Sequence, residues 1–95
     1  MYVNLVRYSL GPGKREEAQA FAKELGPLIA VQDGCASIVL FGDHGDGEGG
    51  LFVMWDSEAN AVAATEVIRP VLDRHLGAIV EGPPESRNFE VIWTR

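Results

Sequence analysis

A chain of 95 residues, 46% hydrophobic and 23% charged, has the length and balance of one globular domain. Its formal net charge of −6 repels phosphate backbones, which argues against nucleic acid as a partner, and no apolar run approaches the roughly 18–20 residues that span a bilayer. Cys35 is the single cysteine, so no internal disulfide can form, and the N-terminus lacks a signal-peptide pattern; the chain is read as cytoplasmic.

Tyr2 to Ser9 is rich in Tyr and Val and reads as a first strand, ended by Gly11-Pro12-Gly13. A first helix then starts near Lys14, with Glu16 and Glu17 in the turn where the macrodipole favours acids. Its apolar stripe is Ala18, Phe21, Ala22, Leu25, Leu28 and Ile29, and Gly26-Pro27 should kink it or end it early. Asp33-Gly34 is a turn, and Cys35 to Phe41 reads as a second strand. Gly42 to Gly50 reads as a flexible, acidic glycine loop without a core residue, and Leu51 to Trp55 as a third strand in a hairpin with the second.

Ser57 suits the N-cap of a second helix with Ala59, Val62, Ala63 and Val67 on its inner face. Pro70 should break or kink that helix, after which Ile68, Val71, Leu72, His75 and Ile79 share one stripe. Gly82-Pro83-Pro84 is a stiff turn, and Phe89 to Thr94 reads as the last strand. The order is β-α-β-β-α-β, an α+β ferredoxin-like arrangement over residues 1–95. Right-handed crossovers put both helices on one face of a four-stranded antiparallel sheet.

The other face should meet water and alternate with polar residues, yet the strands are apolar on both sides. Ile38 and Leu40 oppose Val39 and Phe41, and Leu51, Val53 and Trp55 oppose Phe52 and Met54. A second copy of the sheet is the simplest cover, so a two-fold homodimer through this face is expected. Arg7 would lie on that face and need an acid, with Glu90 as candidate.

Gly45 to Gly50 matches G-x-G-x-x-G, but a strand follows instead of a helix, and Asp46 and Glu48 would repel phosphate. Asp43, Asp46 and Glu48 lack the spacing of a calcium loop. His44 reads as a solvated loop residue. His75, on an apolar stripe, is either a core histidine bonded to a backbone carbonyl or a pocket residue able to move protons. Asn4 interrupts the first strand on the face of Tyr2, Val6 and Tyr8, so it orders a pocket or caps a loop. Cys35 has no cationic neighbour in sequence and reads as an inert, buried thiol. Trp55 and Trp93 fit a core or an interface more readily than chemistry.

Three stretches carry a family resemblance: the first strand running into Gly11-Pro12-Gly13-Lys14, Asp33-Gly34-Cys35 ahead of the second, and Phe52-Val53-Met54-Trp55-Asp56-Ser57-Glu58. On these the chain resembles the antibiotic biosynthesis monooxygenases of the dimeric α/β barrel superfamily. The resemblance implies a homodimeric barrel and a pocket between sheet and helices. It also implies a cofactor-independent oxygenase acting on, or binding, a small aromatic or quinone-like molecule. Trp55 matches a pocket-lining tryptophan. His75 falls where the oxygenases place an arginine and the haem-degrading branch its iron-ligand histidine. An asparagine and a tyrosine of the oxygenase pocket are replaced by Leu51 and Ala61. The resulting expectation is that Trp55 lines the pocket, His75 shuttles the proton, and Asn4 or Tyr8 orients the substrate, with no cofactor. The alternatives are a non-catalytic ligand-binding barrel and haem binding through His75.

Overall fold

The computed structural model describes residues 1–43, 45–77 and 79–95, so His44 lies outside the described residues. The elements are β1 (Tyr2–Ser9), α1 (Arg15–Ala30), β2 (Cys35–Gly42), β3 (Glu48–Trp55), α2 (Glu58–Leu76) and β4 (Glu85–Glu90). The four strands form one antiparallel sheet in the order β2-β3-β1-β4, the expected ferredoxin-like α+β fold. α1 packs on β2, α2 packs on β1 and β3, and neither helix covers β4.

Both helices run through their prolines instead of breaking at them. Pro27 and Pro70 are exposed, and so are Lys23 and Glu66, whose carbonyls lose the missing N–H. Those carbonyls face water and can be hydrated, while the buried stripes hold each helix to the sheet. Along α1 the stripe is Phe21, Leu25 and Ile29, as expected. On α2 it is Ala61, Ala64, Ile68, Leu72 and Leu76, whereas Ala59, Val62, Ala63 and Val67 are exposed. The first half of α2 is Ala and Val on both sides, so its phase is fixed from downstream, where only the Ile68-Leu72-Leu76 face carries large residues to bury. Ser57 caps α2 as expected, accepting the Asn60 N–H at 3.1 Å.

Both ends of the glycine segment belong to the sheet: β2 runs to Gly42 and β3 takes in Glu48, Gly49 and Gly50. β3 begins at Glu48, and Gly49 and Gly50 are buried opposite Tyr8 and Arg7 of β1. A Cβ at Gly50 would overlap the Val6 carbonyl, and one at Gly49 would sit 2.7 Å from the Phe41 carbonyl oxygen. These glycines permit close strand approach. The true turn is much shorter, and its acids serve the backbone: Asp43 accepts the Gly45 N–H at 2.7 Å and Asp46 the Glu48 N–H at 2.9 Å.

β4 also starts earlier than expected, at Glu85. Its register sets Arg7 opposite Glu85 and Tyr2 opposite Glu90, and the Val91 N–H reaches the Met1 carbonyl at 3.0 Å. Beyond that point β1 offers no further partner, so Ile92 and Trp93 remain exposed.

The pairing sorts side chains onto two faces. Val6, Tyr8, Leu51, Val53 and Trp55 point inward to a core shared with both helices. Val3, Leu5, Val39, Phe41, Phe52, Met54 and Phe89 share the outer face, with Val39, Phe41 and Phe89 40–50% exposed. Arg7 pairs there with Glu48, not Glu90, because Glu90 lies opposite Tyr2 at the far end of β4 and on the inner face.

Candidate functional site

The inner face of β1 runs beneath two clefts. One lies beside β4, where no helix covers the sheet, and has a volume of about 260 Å³. Asn4, Leu51, Val53 and Trp55 form its floor. Thr65, Ile68, Arg69, Leu72 and Asp73 of α2 and the Pro83-Pro84 segment form its walls. An engineered cavity of about 150 Å³ holds benzene, so this cleft has room for one or two aromatic rings.

Trp55 is 2% exposed, and its indole Nε1–H is buried with no hydrogen-bond partner among the described residues. An orphaned buried donor costs roughly 1–3 kcal/mol, which a ligand bearing an acceptor would recover. Asn4 is held from the other side. Its amide nitrogen donates to Asn88 Oδ1 at 2.6 Å and to Ser86 Oγ at 3.3 Å, so its own Oδ1 lacks a protein donor among the described residues. The floor therefore carries one free acceptor, Asn4 Oδ1, beside the Trp55 ring, and Thr65, Arg69 and Asp73 add polar groups in the wall.

Tyr8 does not share this cleft. It walls a second one of about 250 Å³ at the hairpin end, packs edge-on against Phe21 at 5.9 Å, and burial raises its phenol pKa above the ordinary 10.0. His75 walls neither cleft. Its Nε2 lies 3.0 Å from Glu24 Oε2, and its ring meets the edge of Phe21 at 6.4 Å, so it bridges α2 to α1. Haem needs an axial ligand facing an apolar slot, and a histidine turned to a carboxylate on the helix seam does not fit that group.

Thr65, Arg69 and Asp73 are pocket residues that the reading of the sequence missed. Their spacing of four was legible: a polar stripe runs beside the buried Ile68-Leu72 stripe on the same helix. Cys35 is half-buried, and burial raises its pKa, with the nearby Asp56 charge adding to the rise and a backbone contact at Ser37 opposing it. Among the described residues no His, Cys, Asp and Glu group could hold a metal ion, and no helix is long and apolar enough to cross a membrane.

No protein-family model matches the chain, and no curated protein matches its sequence. Solved structures do match it. NE2512 of Nitrosomonas europaea, a protein of unknown function, is 20% identical with a TM-score of 0.83, over 99% of this chain and 91% of that one. A variant of SnoaB, a cofactor-independent oxygenase of Streptomyces nogalater, is 17% identical with a TM-score of 0.79, over 98% and 94%. The monooxygenase ActVA-Orf6 of Streptomyces coelicolor, solved with nanaomycin D, is 16% identical with a TM-score of 0.79, over 99% and 89%. Coverage of nearly the whole of each chain at these TM-scores shows that this protein shares the fold of these structures.

Proposed function

We propose that the protein is a cofactor-independent monooxygenase of a small aromatic, quinol-like molecule bound in the cleft over Trp55. The unpartnered Trp55 Nε1–H in the wall of this cleft carries this reading: it is buried in the free protein, and a small shift of the indole on binding would let it donate to a ligand oxygen. Asn4 Oδ1 would accept a phenolic hydrogen on the same molecule. Support comes also from the likeness in fold to SnoaB and ActVA-Orf6.

The chemistry asks little of the protein. A ring methylene set between two aromatic rings and opposite a carbonyl, as in an anthrone, is acidic because its anion is a phenolate-type enolate, and that anion is electron-rich enough to reduce oxygen directly. The carbon gains a carbonyl oxygen, the second oxygen atom leaves as water, and the two broken C–H bonds supply the electrons. The cleft must hold the ring, exclude bulk water and accept a proton. Asp73 is the carboxylate in its wall and is proposed as the proton acceptor. His75 carries no step in this reading, because it stands on the helix seam.

The experiment is oxygen uptake with an anthrone or a small quinol in the absence of any added cofactor. One oxygen consumed per anthrone, lost in Asp73→Asn, is the expected result. Saturable binding without uptake would instead favour a non-catalytic ligand-binding barrel.

We also propose that a second copy covers the outer face of the sheet. Val39, Phe41 and Phe89 are exposed there beside the partly buried Leu5, Phe52 and Met54, an apolar grouping of the kind that marks an interaction surface. Sedimentation at micromolar concentration should show twice the chain mass, and a species of single-chain mass alone would remove the dimer.

A further inference from the structure

The cleft at the hairpin end differs in chemistry from the one over Trp55. It opens between the start of α1 and the β2–β3 hairpin. Leu10, Ala18, Ala22 and Leu40 give it apolar walls, and Gly49 leaves its floor open, since a Cβ there would stand 3.3 Å from the Tyr8 ring. At about 250 Å³ it exceeds the roughly 150 Å³ that holds benzene, which leaves room for one ring and a substituent.

Three polar features converge on it. Lys14 and Arg15 line it, and neither has an ion-pair partner among the described residues. Lys14 is also the N-cap of α1 and makes no side-chain capping bond, so the first N–H groups of the helix are uncapped. Independently of the helix end, Tyr8 is only 8% exposed, and its hydroxyl has no hydrogen-bond partner among the described residues. The ring is buried but the hydroxyl keeps accessible surface, so it is a donor free to meet a ligand in the cleft, and burial of the side chain raises its pKa.

Two acids, Asp43 and Glu48, also line the cleft, and both are engaged. Asp43 Oδ1 accepts the Gly45 N–H, and Glu48 pairs with Arg7. Glu16 and Glu17, in the first turn of α1, are exposed and do not line the cleft. The two free cations and the phenol thus face a chamber whose other polar lining is Gln19 and the two engaged acids, Asp43 and Glu48.

We infer that this cleft is a second ligand site, taking a small carboxylate with a single apolar ring, its carboxylate held by Lys14, Arg15 and the Tyr8 hydroxyl and its ring against Ala18, Ala22 and Leu40. The inference stands apart from the oxygenase reading, since Tyr8 and Trp55 line different clefts. Asn4 and Tyr8 share the inner face of β1, but four strand residues separate them by about 13 Å.

Benzoate is the probe, titrated into the full chain and followed by backbone amide shifts. Saturable shifts are expected at Ala18, Ala22 and Gly49, with little change at Thr65 and Leu72. Affinity should fall about ten-fold or more in Lys14→Ala/Arg15→Ala, and about ten-fold in Tyr8→Phe, which keeps the ring and its contact with Phe21. Trp55→Phe should leave benzoate affinity unchanged, and uncharged benzyl alcohol should bind more weakly than benzoate. No saturation by millimolar benzoate, shifts centred on Thr65 and Leu72, equal affinity for benzyl alcohol, or full affinity in folded Lys14→Ala/Arg15→Ala would each overturn the inference.

Discussion

The two clefts on the inner face of the sheet are alike in size and built on one strand, yet they are chemically opposite. Over Trp55 the polar groups of the floor are fixed, a buried indole N–H and an amide clamped by Asn88 and Ser86, with Thr65, Arg69 and Asp73 in the wall. At the hairpin end they are long cationic side chains and two engaged acids around one phenol hydroxyl. The first suits a rigid, neutral ring whose acceptor must meet one donor. The second suits an anion, for which flexible charges suffice. The difference arises from what covers β1. Next to β4 the sheet is left bare by both helices, whereas at the hairpin the start of α1 overhangs it.

The comparison breaks most completely if the hairpin end loses its backbone geometry. Gly50→Val places a Cβ against the Val6 carbonyl, a backbone atom that cannot swing aside. Because overpacking alone costs about 1–3 kcal/mol and this overlap is with the backbone, a loss of about 3 kcal/mol or more is expected in urea denaturation. Replacing Gly42–Gly50 by a two-residue turn should also unfold the chain, since it removes residues paired with Arg7, Tyr8 and Ser9. Wild-type stability in either variant would mean that the hairpin end is not held as described.

These glycines show where the sequence was legible and where it was not. Alternation of apolar residues marked the strands and the two-sided sheet, because pattern and burial share a period of two. Gly49 and Gly50 carry no side chain to alternate, so a buried strand and a flexible loop read alike there. The prolines misled for a related reason: their cost depends on which face of the helix they occupy. Trp55 was legible from its place on the inner face of β3. The separation of Asn4 from Tyr8, and of His75 from both, was not, because sharing a face or a stripe does not set distance along it.

Trp55→Phe sharpens the other half of the comparison. The indole N–H makes no bond in the free protein, so its removal strands no partner. Stability should change by about 1 kcal/mol or less, because the lost volume is offset by relief of the unpaired donor. Affinity for a quinol-like ligand should fall about ten-fold, which is the loss of one hydrogen bond in a dry site. Calorimetry of the variant measures both. Unchanged affinity would remove the indole donor from the site.

Tyr8 offers a pH test of the hairpin end. Its folded pKa lies above the unfolded 10.0, so the unfolded chain releases this proton first as pH rises. The Tyr8 contribution is therefore complete below pH 10 and declines as pH rises from there through the folded pKa. Stability of the wild type should fall over that window more steeply than that of Tyr8→Phe. Identical alkaline limbs would show the phenol to be well solvated, against the burial of its side chain.

The smallest effect should come from His75. Its side chain is 32% exposed and that of Glu24 is 63% exposed, so water screens the pair, and such pairs contribute about 0–1 kcal/mol. The edge contact with Phe21 adds roughly 0.5–1 kcal/mol. His75→Gln retains a donor for Glu24 and should lower stability by less than about 1 kcal/mol. His75→Ala also loses the ring contact and should cost about 1–2 kcal/mol. Neither should alter quinol affinity or turnover, because His75 walls neither cleft. Glu24→Gln provides the control. If His75 acts only through the seam, the effects of His75→Ala and Glu24→Gln on stability will be less than additive, and ligand affinity will stay level in both. A loss of turnover in His75→Ala with the melting temperature preserved would return His75 to the chemistry and displace Asp73 as the proton acceptor.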